Sequence, residues 1–182
     1  MKYFLLIFLQ ASFLYSSAQN EIDGLFKEWQ RENSPGGAIS VIKNGKIIYS
    51  KEFGTSNLKT PISDSTAFRI ASNSKQFTAA CIHILVNKGL LNIDESLKDI
   101  FPKFPEYATD IKITHLLNHT SGIRDYLELT ALKGLNREAL YNDEDIMNWL
   151  IDQDNLNFSP GDEYNYSNSG YWLLGKIIEK KT

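Results

Sequence analysis

The chain has 182 residues, of which 42% are hydrophobic, 12% aromatic and 23% charged, and its formal charge is −3. That balance excludes a strongly basic nucleic-acid binder, and aromatic content with dispersed apolar residues excludes a disordered acidic tail. One domain is the expectation for this length, preceded by a leader that does not belong to it.

Residues 1–18 open with Lys2, run through an apolar stretch from Tyr3 to Tyr15 interrupted only by Gln10, and end in Ser16-Ser17-Ala18. The stretch is shorter than the roughly 20 residues that a spanning helix needs, and small residues at Ser16 and Ala18 suit signal peptidase. The expectation is a secretory signal peptide cut before Gln19, with 19–182 as the domain; a retained N-terminal anchor is the other reading. On the first, the mature protein is periplasmic or secreted and keeps no stable membrane anchor. Cys81 is the only cysteine, so no internal disulfide supports the fold.

Ile22, Leu25, Phe26 and Trp29 recur at helical spacing and predict an amphipathic helix over Glu21–Glu32, ended by Ser34-Pro35-Gly36-Gly37. Two strand-like runs, Ala38–Lys43 and Lys46–Phe53, flank Asn44-Gly45, which predicts a hairpin with a two-residue turn. After a polar stretch to Ser65, Phe77, Ala80, Cys81, Ile84 and Leu85 predict the core face of a helix from Ser72 to Leu90, ended at Gly89. A short helix is expected through His115-Leu116-Leu117, then a loop at Asn118–Gly122. Further helices are expected over Asp143–Leu150 and Ser169–Lys180, with a turn at Ser159–Asp162 between them. Few strands, antiparallel, and a long mainly helical region make the fold class α+β.

Ser72-Asn73-Ser74-Lys75 opens the central helix. Side chains three apart share a helix face, so an amine at Lys75 reaches a hydroxyl at Ser72, and a serine alcohol needs a neighbouring base to become a nucleophile. The positive helix end favours developing negative charge. Ser-x-x-Lys also occurs at Ser40–Lys43, in a predicted strand where i and i+3 point to opposite faces, and at Ser56–Lys59, in a polar loop. The pattern at Ser72 also suits a helix-capping serine followed by a solvated lysine. Tyr164-Asn165-Tyr166-Ser167-Asn168-Ser169 follows a Pro-Gly turn and can offer a phenol for proton transfer and a carboxamide for orienting a carbonyl. The same segment also suits a cap at Ser167 or Asn168 with packed tyrosines. His115 and His119 are four apart, but no third ligand is near and Thr120-Ser121-Gly122 ends the helix, so structural roles are expected for both. Cys81 and His83 are expected inside the central helix, Cys81 as a core residue.

Taken together, Ser72-x-x-Lys75, Leu116–Ile123 with its Asn118-His119-Thr120-Ser121-Gly122, and Ser159-Pro160-Gly161 ahead of Tyr166-Ser167-Asn168-Ser169-Gly170-Tyr171 resemble the serine beta-lactamase-related and penicillin-binding-protein-like hydrolases. The nearest likeness is to the branch of class C beta-lactamases, D-alanyl-D-alanine carboxypeptidases and esterases. The resemblance implies a beta-lactamase/transpeptidase-like fold, an antiparallel sheet flanked by helices plus a mainly helical region. It implies Ser72 as the acylated nucleophile, Lys75 assisting its deprotonation, Tyr166 as proton-transfer partner and Asn168 positioning substrate or Lys75. It treats His119–Gly122 as a supporting loop. No cofactor or metal is implied. The substrate is a small molecule or peptide, a beta-lactam, a D-amino-acid peptide or an ester, and oligomeric state stays open. The family's third motif, Lys or His, a small residue and Gly on a strand, is expected after Tyr166, and the sequence stops at Thr182 before any such motif. The 182 residues are therefore expected to be the N-terminal part of a longer hydrolase, incomplete at the C-terminal strands and closing helix. A non-catalytic module binding cell-wall peptides, or an inactive fragment, are the alternatives.

Overall fold

Asn44 and Gly45 take left-handed angles, φ +50° and +72°. That backbone matches the twist of the strands it joins, and it folds β1 (Gly37–Lys43) and β2 (Lys46–Phe53) into the expected antiparallel hairpin. The computed structural model describes residues 21–31, 34–136 and 141–182; the expected signal peptide lies outside them. The chain divides into two units, Met1–Arg69 and Ile70–Thr182.

In the first unit the hairpin register shifts by one residue between Val41 and Ile42. Tyr49 and Phe53 are buried, whereas Ile42 and Ile47 near the turn are exposed. The helix expected over Glu21–Glu32 is shorter. Residues 21–25 are helical and Lys27–Gln30 form a 3-10 turn, while the predicted end at Glu32 lies outside the described residues. Leu25 is exposed, so the predicted stripe is not one buried face. An isolated helix of this length is marginal. Discrete contacts hold the segment instead: Phe26 packs on the rings of Trp29 and Phe53 at 5.0 and 5.5 Å. Asp23 accepts from the Tyr49 hydroxyl at 2.6 Å and pairs with Lys51 at 2.5 Å.

The second unit is helical among its described residues: α1 (Lys75–Asn87), α2 (Leu97–Ile100), α3 (Ile113–Leu117), α4 (Tyr126–Leu132), α5 (Asp143–Ile151) and α6 (Asn168–Lys181). α3, α5, α6 and the turn at Ser159–Asp162 match expectation, while α2 and α4 have no predicted counterpart. α1 starts later than predicted, because Ala71–Ser74 form a 3-10 turn ahead of it. It ends as predicted at Gly89, where Leu90 N–H reaches the Leu85 carbonyl and Gly89 N–H that of Val86, two bonds that satisfy the last turn.

The core face predicted for α1 is corrected in part. Ile82 and Leu85 are buried, but Phe77, Cys81 and Ile84 are exposed, so Cys81 is not a core cysteine. α1 carries apolar residues on two faces, and spacing alone does not choose which one packs. The chosen face packs α1 against α6. Ile82 and Leu85 share one hydrophobic cluster with Leu173, Leu174 and Ile177 of α6, Leu116 of α3 and Leu150 of α5. Fully burying one such side chain contributes about 1.5–3 kcal/mol, which makes the α1–α6 contact the frame on which the site is mounted.

Candidate active site

The site begins where α1 begins. Ala71 takes φ +46°, a left-handed angle that costs an L-residue about 1–2 kcal/mol. The backbone then enters the 3-10 turn that carries Ser72. Side chains at i and i+3 eclipse in a 3-10 turn, which stacks Lys75 over Ser72, with Lys75 Nζ 3.4 Å from Ser72 Oγ. Ser74 rather than Ser72 precedes α1 as its cap residue, so the capping explanation of Ser72 does not hold.

The second half comes from the start of α6. Ser167 Oγ accepts the Gly170 N–H at 3.1 Å and caps the helix. Asn168 follows at the first helical position, its N–H donated to Asp125 Oδ2. The other oxygen of Asp125 accepts the Leu127 N–H at 2.9 Å and caps α4. One buried carboxylate thus ties two helix N-termini together. Ser169 Oγ completes the junction, donating to the Arg124 carbonyl at 2.8 Å and accepting the Tyr126 N–H at 2.7 Å. Held this way, the Asn168 side-chain oxygen accepts from Lys75 Nζ at 3.0 Å. The Tyr166 hydroxyl lies 2.5 Å from Ser72 Oγ. Ser72, Lys75, Tyr166 and Asn168, all four predicted from sequence, are one hydrogen-bonded cluster.

The Lys75 ammonium also lies over two rings, 4.7 Å from the centroid of Tyr166 and 5.5 Å from that of Tyr171. The Tyr166 phenol is held below its ordinary value, chiefly by hydrogen-bond stabilisation of its anion from Lys75 and next from Ser72, against the opposing effect of burial. The anion of a phenol so placed can take a proton from Ser72 and return it. Neither other Ser-x-x-Lys match forms such a cluster: Ser40 bonds Ser50 across the hairpin at 3.0 Å, and Ser56 donates to the Thr60 carbonyl at 3.3 Å.

Three residues join the site that sequence reasoning left out of it. Tyr171 donates its hydroxyl to the Leu117 carbonyl at 3.0 Å and forms the floor under Lys75. Asp125 sets Asn168. His119, at φ +59°, packs its ring against Tyr166 and Tyr171. The loop that carries His119 is held by Gly122, at φ +71°, where an added Cβ would meet the Phe158 carbonyl oxygen at 2.0 Å. His119 and Asp125 carried a signal, a polar loop between two helical patterns and an Asp ahead of an apolar run, but neither names a partner.

Residues 22–182 match the family described as Beta-lactamase. The chain is 33% identical over 165 residues to Penicillin-binding protein 4* of Bacillus subtilis, covering 89% of this chain and 36% of that protein. It is 33% identical over 155 residues to a D-aminopeptidase of Brucella anthropi, covering 84% and 29%. Among solved structures, the octameric penicillin-binding protein homologue from Pyrococcus abyssi aligns with a TM-score of 0.73 at 30% identity, covering 89% of this chain and 39% of that one. A class C beta lactamase aligns at 0.72 and 25%, covering 93% and 45%. The fold is that of these structures. The chain spans about a third of the length of the curated relatives it matches.

Proposed function

The chain belongs to the beta-lactamase family, and on that premise we propose that it is an exported serine hydrolase in which Ser72 attacks an amide or ester carbonyl. The observation that carries the reading is the contact between Ser72 Oγ and the Tyr166 hydroxyl, with Lys75 beside both. In the first step Ser72 Oγ bonds to the carbonyl carbon and its proton passes to the Tyr166 anion. As the tetrahedral adduct collapses, the amine or alcohol leaves with that proton, and an acyl-serine ester remains. Water then attacks the acyl carbon as Tyr166 takes its proton, and Tyr166 passes that proton to Ser72 Oγ as the acid departs. Lys75 favours the anionic form of Tyr166, and Asn168 fixes the Lys75 amine and presents an amide to the substrate. The relatives' names, a penicillin-binding protein and a D-aminopeptidase, favour beta-lactams and peptides of D-amino acids, with esters as the third class. Export rests on the leader at residues 1–18.

Covalent labelling tests the reading. A fluorescent penicillin and a fluorophosphonate are each applied to the full-length protein, and peptide mass spectrometry is expected to place the adduct on Ser72, with none on Ser72→Ala. Folded protein that neither reagent modifies, or ligand binding that Ser72→Ala leaves unchanged without any adduct, would show a binding module instead.

A further inference from the structure

One residue outside the proposed chemistry touches Tyr166 from three directions. The backbone carbonyl of His119 accepts the N–H of Asn165 at 2.9 Å, and its ring Nδ1 accepts the N–H of Ser167 at 3.0 Å. These two amides belong to the residues on either side of Tyr166. The imidazole also stacks on the Tyr166 ring, centroids 4.6 Å apart and planes 31° from parallel, and on the Tyr171 ring at 5.0 Å and 32°. Its backbone sits at φ +59°, a left-handed angle that histidine, like asparagine, adopts more readily than most side chains. These contacts together give His119 a positional role beyond loop filling.

We propose that His119 is a positioning residue that clamps Tyr166 through its carbonyl and its neutral imidazole, and that protonating Nδ1 opens the clamp. The proposal rests on Ser72 and Tyr166 acting as described above. Accepting the Ser167 N–H requires Nδ1 to be bare, so the neutral ring carries its proton on Nε2. A proton on Nδ1 would face that N–H and end the bond. Ser167 would then be released, and it is the cap of α6 and the link between Tyr166 and Asn168. The titratable groups facing the imidazole are Lys75 from α1, Tyr164 and Tyr166 from the loop before α6, and Tyr171 on α6. Burial, and then the Lys75 charge, hold the imidazole below its ordinary value. The neutral clamp is thus favoured over the protonated ring more than in a free imidazole, and it opens only as pH falls through the lowered value.

Two variants separate the clamp from simple packing. His119→Phe keeps a stacked ring and loses the acceptor. His119→Asn keeps an acceptor close to the Nδ1 position, suits the left-handed backbone and takes up no proton. In the full-length protein, His119→Phe is expected to lose about 100-fold in kcat with KM little changed, the scale of a misplaced reacting group, and His119→Asn to recover most of that loss. In the wild type, the Ser167 amide resonance should titrate with the same midpoint as the His119 ring. The component of the kcat/KM profile at that midpoint should vanish in His119→Asn. Unchanged kcat in a folded His119→Phe, or a Ser167 amide that ignores the His119 titration, would overturn the clamp. If His119→Phe does not fold, the His119→Asn profile and the amide titration decide. Absence of labelling at Ser72 in the wild type would instead overturn the hydrolase reading, and the amide titration, which needs no activity, still decides whether the clamp exists.

Discussion

At the scale of single residues, the division of labour between Tyr166 and Lys75 can be measured. Tyr166→Phe removes the proton acceptor but leaves the ring under Lys75 and against His119, so kcat/KM should fall about 10²–10⁴-fold with the fold intact. Lys75→Ala removes the main influence that lowers the Tyr166 phenol. Its value then rises, the anion is present only at higher pH, and the acid limb of the surviving activity should move upward. A pH–rate profile that keeps its acid limb in Lys75→Ala would assign that limb to another group. Ser72, Lys75, Tyr166 and Asn168 were legible in the sequence because their short patterns, each open to a capping reading alone, together resemble one family's motifs. His119 and Asp125 were not. The hold of His119 on Asn165 runs through its own carbonyl, which no side-chain pattern encodes. Asp125 draws its meaning from Asn168, 43 positions away.

At the scale of elements, the loop between α3 and α4 is the bracket on which the α6 start is hung. Thr120 accepts from Gly161 and Gly122 from Asn157, both at 2.8 Å, so this loop and the segment before Tyr166 share one set of backbone bonds. Gly122→Ala would press a Cβ into the Phe158 carbonyl at a left-handed φ. The angle alone costs about 1–2 kcal/mol, and the clash adds to it. A lowered denaturation midpoint with a larger loss of labelling at Ser72 is expected; wild-type stability would show that the loop moves aside freely. Periodicity found α1, α3, α5 and α6 but missed the short α2 and α4, both capped by a polar side chain, Ser96 and Asp125. It also placed only Leu85 of its predicted core face correctly. Phe77, Cys81 and Ile84 keep helical spacing as well as Ile82 and Leu85 do, and only the docking of α6 distinguishes the two faces.

At the scale of the molecule, Ser72 and Tyr166 are 94 residues apart in sequence, and the cluster of Ile82, Leu85, Leu173, Leu174 and Ile177 brings them together. Bringing such distant segments together has an entropic cost that only tertiary burial offsets. In a guanidinium titration of the full-length protein, labelling at Ser72 should disappear together with the near-ultraviolet signal of the buried aromatics. Labelling that outlasts that signal would mean that a local turn suffices. The consequence reaches the cell. On the export reading, a chain threaded unfolded through a membrane carries Ser72 as one inert alcohol among its many serines. Hydrolysis would switch on only after translocation, when α6 closes on α1 and delivers Tyr166, so the fold itself would confine the activity to the far side of the membrane.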